Sequence, residues 1–157
     1  MGSSAATYLP DPGATDRLGR LLSSLLRPGD VLLLQGQIGA GKTHLARSII
    51  RDRLGVPDAH VPSPTFTLVQ TYDLPETTLW HVDLYRLADP SEAIELGLDD
   101  ALGNDIVLVE WPERLDNFPS ESLVINLEVQ GDGRRATLSS ESDRWMAVDA
   151  LFKATHA

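Results

Sequence analysis

At 157 residues, 42% of them hydrophobic, the chain has the length and apolar content expected of one core-bearing domain, residues 1–157. Its longest apolar runs, Val31–Leu34 and Ile106–Val109, are strand-sized rather than membrane-spanning; the start MGSSAATYLP lacks a basic-then-apolar signal, Ala6 stands where N-myristoylation wants Ser or Thr, and the absence of cysteine excludes disulfides and thiolate zinc sites. Net charge is −10, with seven Lys/Arg against four Asp/Glu over residues 1–57 and six against nineteen thereafter, so a cytoplasmic protein that binds nucleic acid poorly on its own is expected.

In chain order, Thr7–Pro10 reads as a short strand. Leu18, Leu21, Leu22, Leu25 and Leu26 then recur at helical spacing, with Thr15 as the expected N-cap and Pro28-Gly29 as the stop. Val31–Gln35 is a continuous apolar strand, and Lys42–Leu54 a helix ended by Gly55 and Pro57. Its Arg47, Arg51 and Arg53 are the chain's densest basic group; a solvated helix face is the simpler reading, a nucleic-acid footprint the sharper one. After a Pro- and Ser-rich loop at Val61–Pro64, Phe66–Asp73 and Leu79–Tyr85 read as strands. Pro90–Leu102 is helical with a break near Gly97, and Ile106–Glu110 is a buried strand. Leu123–Val129 and Arg134–Ser139 form a hairpin over Gly131-Asp132-Gly133. Ser142 opens a final amphipathic helix with Trp145, Val148, Leu151 and Phe152 on one side. Helices alternating with apolar strands, together with hairpins, predict an α/β fold with a mixed central sheet.

The strand at Val31 runs into Gly36-Gln37-Ile38-Gly39-Ala40-Gly41-Lys42-Thr43, and Lys42-Thr43 open a helix, which is the setting a G-x-x-x-x-G-K-[ST] phosphate loop requires. Backbone N–H groups at the helix start, with Gly39 and Gly41 letting the chain curl closely, suit phosphate oxygens. Lys42 is placed to reach the β- and γ-phosphates, and the Thr43 hydroxyl to bind Mg²⁺. The chain has eleven Arg but only two Lys, and one of the two falls where the loop needs it. ATP and Mg²⁺ are the expected ligands.

Such a loop needs a carboxylate at the end of a neighbouring strand. Two segments supply one: Ile106–Val109 ends in Glu110, and Leu79–Val82 ends in Asp83. The second alternates, with Trp80, Val82 and Leu84 facing one way and His81, Asp83 and Tyr85 the other, a polar stripe suited to a site wall.

In this order the segments Gly39–Thr43, Ser63-Pro64-Thr65-Phe66-Thr67-Leu68-Val69, His81-Val82-Asp83-Leu84-Tyr85-Arg86-Leu87 and Leu108-Val109-Glu110-Trp111-Pro112 closely resemble the TsaE (YjeE-type) family of bacterial ATPases, over nearly the whole chain. The resemblance implies a three-layer P-loop NTPase fold and a part in making threonylcarbamoyladenosine in tRNA. It implies association with the transferase pair TsaD and TsaB, whose turnover ATP hydrolysis supports, tRNA being met through that complex and no membrane being involved. By position, Gly36, Gly39, Ala40, Gly41, Lys42, Thr43 and His44 would cradle the nucleotide, with Trp111 beside it and Thr15 and Arg134 towards its nucleoside end. Thr43 and Glu110 would hold Mg²⁺. Thr65, in a switch-like loop with Ser63-Pro64, would lie near the γ-phosphate, and Asp83 with His81 in a segment needed for hydrolysis. One departure is His44, where the family usually places a second Thr or Ser; its backbone N–H remains available to the α-phosphate.

Three other readings compete. A GTPase is disfavoured because neither Lys42 nor Lys153 follows an Asn. A small metabolite or nucleotide kinase shares the loop, but only Arg86, Arg114, Arg134, Arg135 and Arg144 follow residue 57 and no lid insertion is evident. A nucleotide-gated binding module would use ATP only to fix a shape.

Overall fold

The computed structural model describes residues 3–115, 118–146 and 148. In chain order they form β1 (Ser3–Leu9), α1 (Pro12–Leu25), β2 (Val31–Gly36), α2 (Lys42–Leu54), β3 (Val69–Asp73), β4 (Thr78–Asp83), α3 (Pro90–Glu95), α4 (Leu98–Ala101), β5 (Ile106–Glu110), β6 (Leu123–Gln130) and β7 (Gly133–Ser140). The strands make one sheet in the order β1-β7-β6-β2-β5-β4-β3. Its centre, β6-β2-β5-β4, is parallel, and the outer pairs β1-β7, β7-β6 and β4-β3 are antiparallel.

Alternation along the central strands builds two cores. Leu32 and Leu34 of β2 and Ile106 and Leu108 of β5 pack with Leu18 and Leu22 of α1 and Leu45, Ile49 and Ile50 of α2. Val31, Leu33, Val107 and Val109 face the other way, with Val82, Leu84 and the Ala93, Leu98 and Ala101 side chains of α3 and α4. Helices therefore cover both faces of a mixed sheet, the three-layer α/β arrangement of P-loop NTPases. Strands buried on both faces read as unbroken apolar runs, which is why β2 and β5 were plain in the sequence.

Several expected boundaries move. Asp11, not Thr15, caps α1: its side chain accepts from the Ala14 N–H at 2.8 Å, and Pro12 follows at the first helical turn, where its missing N–H costs nothing. Thr15 is buried one turn inside. The strand expected from Phe66 begins only at Val69, because Leu68 has φ 68° and its N–H turns back to the Pro64 carbonyl at 2.8 Å. The break near Gly97 is a full one: Gly97, at φ 90°, separates α3 from α4. Ser142 does open the last helical stretch, its hydroxyl accepting from the Arg144 N–H; its first turn, Asp143–Trp145, is 3₁₀, and Met146 and Val148 are α-helical. Trp145 and Val148 are buried; Leu151 and Phe152 lie outside the described residues.

Candidate functional site

Strands β2, β4 and β5 point their C-terminal ends the same way, and there the fold leaves an open cleft of about 370 Å³. Ile38, Gly39, Gly41, Lys42, Thr43 and His44 line one side, and Thr65, Asp83, Tyr85, Glu110 and Trp111 the other. The phosphate loop curls from β2 into α2 through Gly36, Gly39 and Gly41 at φ 146°, 82° and 105°. At Gly36 more than conformation is at stake, since a Cβ would sit 2.4 Å from the Leu127 carbonyl oxygen of β6. Gly41 caps α2 without a side-chain hydrogen bond, so the first N–H groups of this helix remain for a ligand at the cleft.

Parallel pairing of β4 with β5 sets Asp83 opposite Glu110. Glu110 is buried, with Oε1 accepting from the Thr43 hydroxyl at 2.7 Å and Oε2 lying 2.7 Å from His81 Nε2. Asp83 Oδ1 accepts from the Tyr85 N–H at 2.9 Å, and Oδ2 from Thr65 Oγ1 at a long 3.4 Å; Thr65 in turn meets Ser63 Oγ at 2.7 Å. Burial pushes the Asp83 carboxyl above the usual carboxylate range; the Tyr85 N–H opposes this, Glu110 adds to it, and His81 and Thr65 oppose it. Lys42 donates to the Gly36 and Gln37 carbonyls at 2.5 and 2.9 Å, with its ammonium 4.1 Å from the centre of the Trp111 ring. Burial lowers the Lys42 pKa, against the pull of Glu110, Glu113 and Asp83. Trp111, at φ 59°, also meets Tyr85 at 4.9 Å between ring centres.

The polar stripe of β4 is therefore buried rather than solvated: His81 is fully enclosed and Asp83 is 4% exposed. Lys42, Thr43, Thr65, Asp83, Glu110 and Trp111 meet in one cleft, as their spacing along the chain could not by itself show. Thr15 and Arg134 line a separate recess of about 210 Å³, with Leu9, Asp11 and Asp132, that shares Gly41 and His44 with the cleft. Arg134 braces the loop from behind, its Nε donating to the Ala40 carbonyl at 3.1 Å and Nη2 to Gly39 at 3.0 Å.

The family model described as threonylcarbamoyl adenosine biosynthesis protein TsaE matches residues 9–137. The chain belongs to the TsaE family. A TsaE protein of Rickettsia felis is 42% identical over 133 residues, 82% of this chain and 77% of its own length. One from Haemophilus influenzae is 32% identical over 95% of this chain and 98% of its own, and one from Bacillus subtilis 38% identical over 80% and 78%. Each of these relatives is named a tRNA threonylcarbamoyladenosine biosynthesis protein. The crystal structure of Bacillus subtilis YdiB superposes with a TM-score of 0.80 and 26% identity, covering 100% of this chain and 99% of that one.

Two features of this TsaE chain escaped the sequence reading. His44 Nε2 lies 2.9 Å from Asp16 Oδ1 of α1, at ion-pair distance but without hydrogen-bond alignment, and Ser48 Oγ donates to the same oxygen. The helical spacing of His44 and Ser48 was visible; the approach of Asp16 from another helix was not. The three arginines of α2 are also committed inward. Arg47 donates to the Val61 carbonyl, Arg51 to Ala59, and Arg53 to Ser23, Leu26 and Glu76. Arg47 and Arg51 staple the segment leading to Ser63–Thr65 against α2, and Arg53 ties α2 to the end of α1 and to Glu76, where the sequence had suggested a solvated face or a tRNA footprint.

Proposed function

We propose that this TsaE-family protein of tRNA threonylcarbamoyladenosine biosynthesis binds ATP with Mg²⁺ and hydrolyses it, supporting turnover of the TsaD–TsaB transferase while meeting tRNA through that complex. The carrying observation is the 2.7 Å contact between the Thr43 hydroxyl and Glu110 Oε1 beside Lys42, which joins a phosphate loop to a strand-end carboxylate. An oxygen donor pair of this kind fits a hard divalent cation, and the uncapped start of α2 fits phosphate. Bound Mg²⁺ would neutralise charge on the phosphates. Lys42 would leave the Gly36 and Gln37 carbonyls to reach the same oxygens, and Trp111 would flank the nucleotide. Asp83 and Thr65 face the cleft from the opposite wall, and the raised Asp83 pKa suits a group that handles a proton during hydrolysis. Thr15 and Arg134, in the adjoining recess, would lie towards the nucleoside.

The kinase reading loses support from the arginines after residue 57. Arg134 holds the loop, Arg144 pairs with Asp30, Arg86 lies 4.7 Å over Phe66 and Arg114 5.6 Å over Tyr85. Most of the cations that would clamp a phosphoryl acceptor thus already have partners.

Replacing Glu110 with Ala is expected to weaken Mg²⁺-dependent nucleotide binding more than binding in EDTA; equal losses would remove the metal role. Asp83→Ala is expected to keep nucleotide affinity and lower turnover in the presence of TsaD, TsaB and tRNA. Turnover equal to wild type would take Asp83 out of the hydrolytic step.

A further inference from the structure

The contact between His81 and Glu110 places two polar groups where strands elsewhere in this sheet bury aliphatic ones. Both side chains are almost fully enclosed, at 0% and 2% exposure, and Nε2 lies 2.7 Å from Oε2. Burying such a pair is costly unless its geometry is used, and an apolar pair of the same volume serves packing as well or better. The two oxygens of Glu110 are divided: Oε2 is taken by His81, and Oε1 faces Thr43 at the cleft. His81 itself is fixed on both sides, its backbone paired with Gln70 of β3 and Leu108 of β5. Its Nδ1 has no hydrogen-bond partner among the described residues, so Glu110 is the ring's one hydrogen-bond partner there. A carboxylate only accepts, so the ring proton sits on Nε2.

We infer that His81 is a positioning residue for the cation site: its Nε2–H holds Glu110 Oε2 so that Oε1 stays turned towards Thr43 and the metal. This rests on the reading of Glu110 as a Mg²⁺ ligand and reassigns His81, which the sequence placed with Asp83 in the hydrolytic segment. Partners of this kind fix the rotamer of a ligand, and their loss typically weakens metal affinity about 10–100-fold.

The test is binding of a fluorescent ATP analogue to the purified full chain across a Mg²⁺ titration. His81→Phe, which keeps the bulk and loses the donor, is expected to raise the Mg²⁺ half-saturation concentration about 10–100-fold while leaving affinity in EDTA within about twofold. His81→Gln, whose amide N–H reaches as far as Nε2, is expected to restore the wild-type Mg²⁺ dependence, and the shorter His81→Asn is not. Wild-type Mg²⁺ dependence in His81→Phe, or equal losses with and without Mg²⁺, would overturn the inference. If the Phe variant does not fold, identical Mg²⁺ dependence of the Gln and Asn variants would overturn it instead. Glu110→Gln separates this from the underlying reading. Should it leave Mg²⁺ dependence unchanged, the cation site itself is wrong; should it abolish that dependence while the His81 variants do not, only the positioning role fails.

Discussion

At the N-terminal ends of the central strands, Arg144 donates to Asp30 Oδ2 at 2.6 Å and to the Leu25 carbonyl at 2.7 Å, and its guanidinium lies 4.3 Å over the Trp145 ring. Charge there is closed on itself, tying the loop before β2 to the 3₁₀ turn at Asp143–Trp145. At the C-terminal ends Lys42, Asp83 and Glu110 are more deeply enclosed than that pair, yet two carboxylates stand side by side and all three border an open cleft. The first arrangement pairs opposite charges and satisfies a backbone carbonyl. In the second, burial pushes the Asp83 carboxyl above its usual range, and groups perturbed in this way cluster where a ligand or a proton is handled. Substitutions at the two ends should therefore separate affinity from stability.

The largest effect is expected at Lys42. Lys42→Ala should weaken ATP binding by about 100-fold or more, the equivalent of two charge-assisted hydrogen bonds, with little change in the unfolding midpoint. Equilibrium binding alongside thermal unfolding checks both halves, and unchanged affinity would remove the loop from the site. Gly36→Ala comes next, because its Cβ would meet the Leu127 carbonyl at φ 146°; a loss of about 2–4 kcal/mol is expected in denaturant unfolding. Gly39→Ala, with nothing within 4 Å, should cost only about 1–2 kcal/mol, from its left-handed backbone. Arg144→Ala should destabilise by about 2 kcal/mol while leaving nucleotide affinity untouched; a matching loss of affinity would break the contrast between the two ends.

The smallest effect has the opposite sign. Asp83 has a folded pKa above its unfolded value, so the folded state holds its proton more tightly. Stability is then highest with the group protonated and falls as pH rises from about 3.8 through the folded pKa. Asp83→Asn should remove this penalty at neutral pH, raising the midpoint by roughly 1–3 °C while turnover drops. A lower midpoint at neutral pH would mean that the carboxylate serves the fold.

Much of the framework could be read from local pattern. The phosphate loop, the unbroken strands Val31–Leu34 and Ile106–Val109 and the alternation of Trp80–Tyr85 each express a rule within a few residues. The start of α1 was placed one turn late, at Thr15; Asp11 caps it instead, with Pro12 beside it preset for the first turn. The strand at Phe66 failed for a backbone reason, the left-handed Leu68, that no side-chain periodicity reports. Other misses are long-range. His81 meets Glu110 across 29 residues, Asp16 meets Ser48 across 32, and Arg134 reaches the loop across 94 or more. Such pairings depend on sheet order and register, so the sequence could name Glu110 and His81 separately without joining them.

ATP hydrolysis by the purified chain with Mg²⁺, alone and then with TsaD, TsaB and tRNA, tests whether this cleft is an ATPase site. Mg²⁺-dependent release of phosphate is expected, rising when the partners are added and falling with Asp83→Ala. Phosphate transferred to a small acceptor, or complex assembly driven equally well by a non-hydrolysable ATP analogue with no release under any condition, would contradict it.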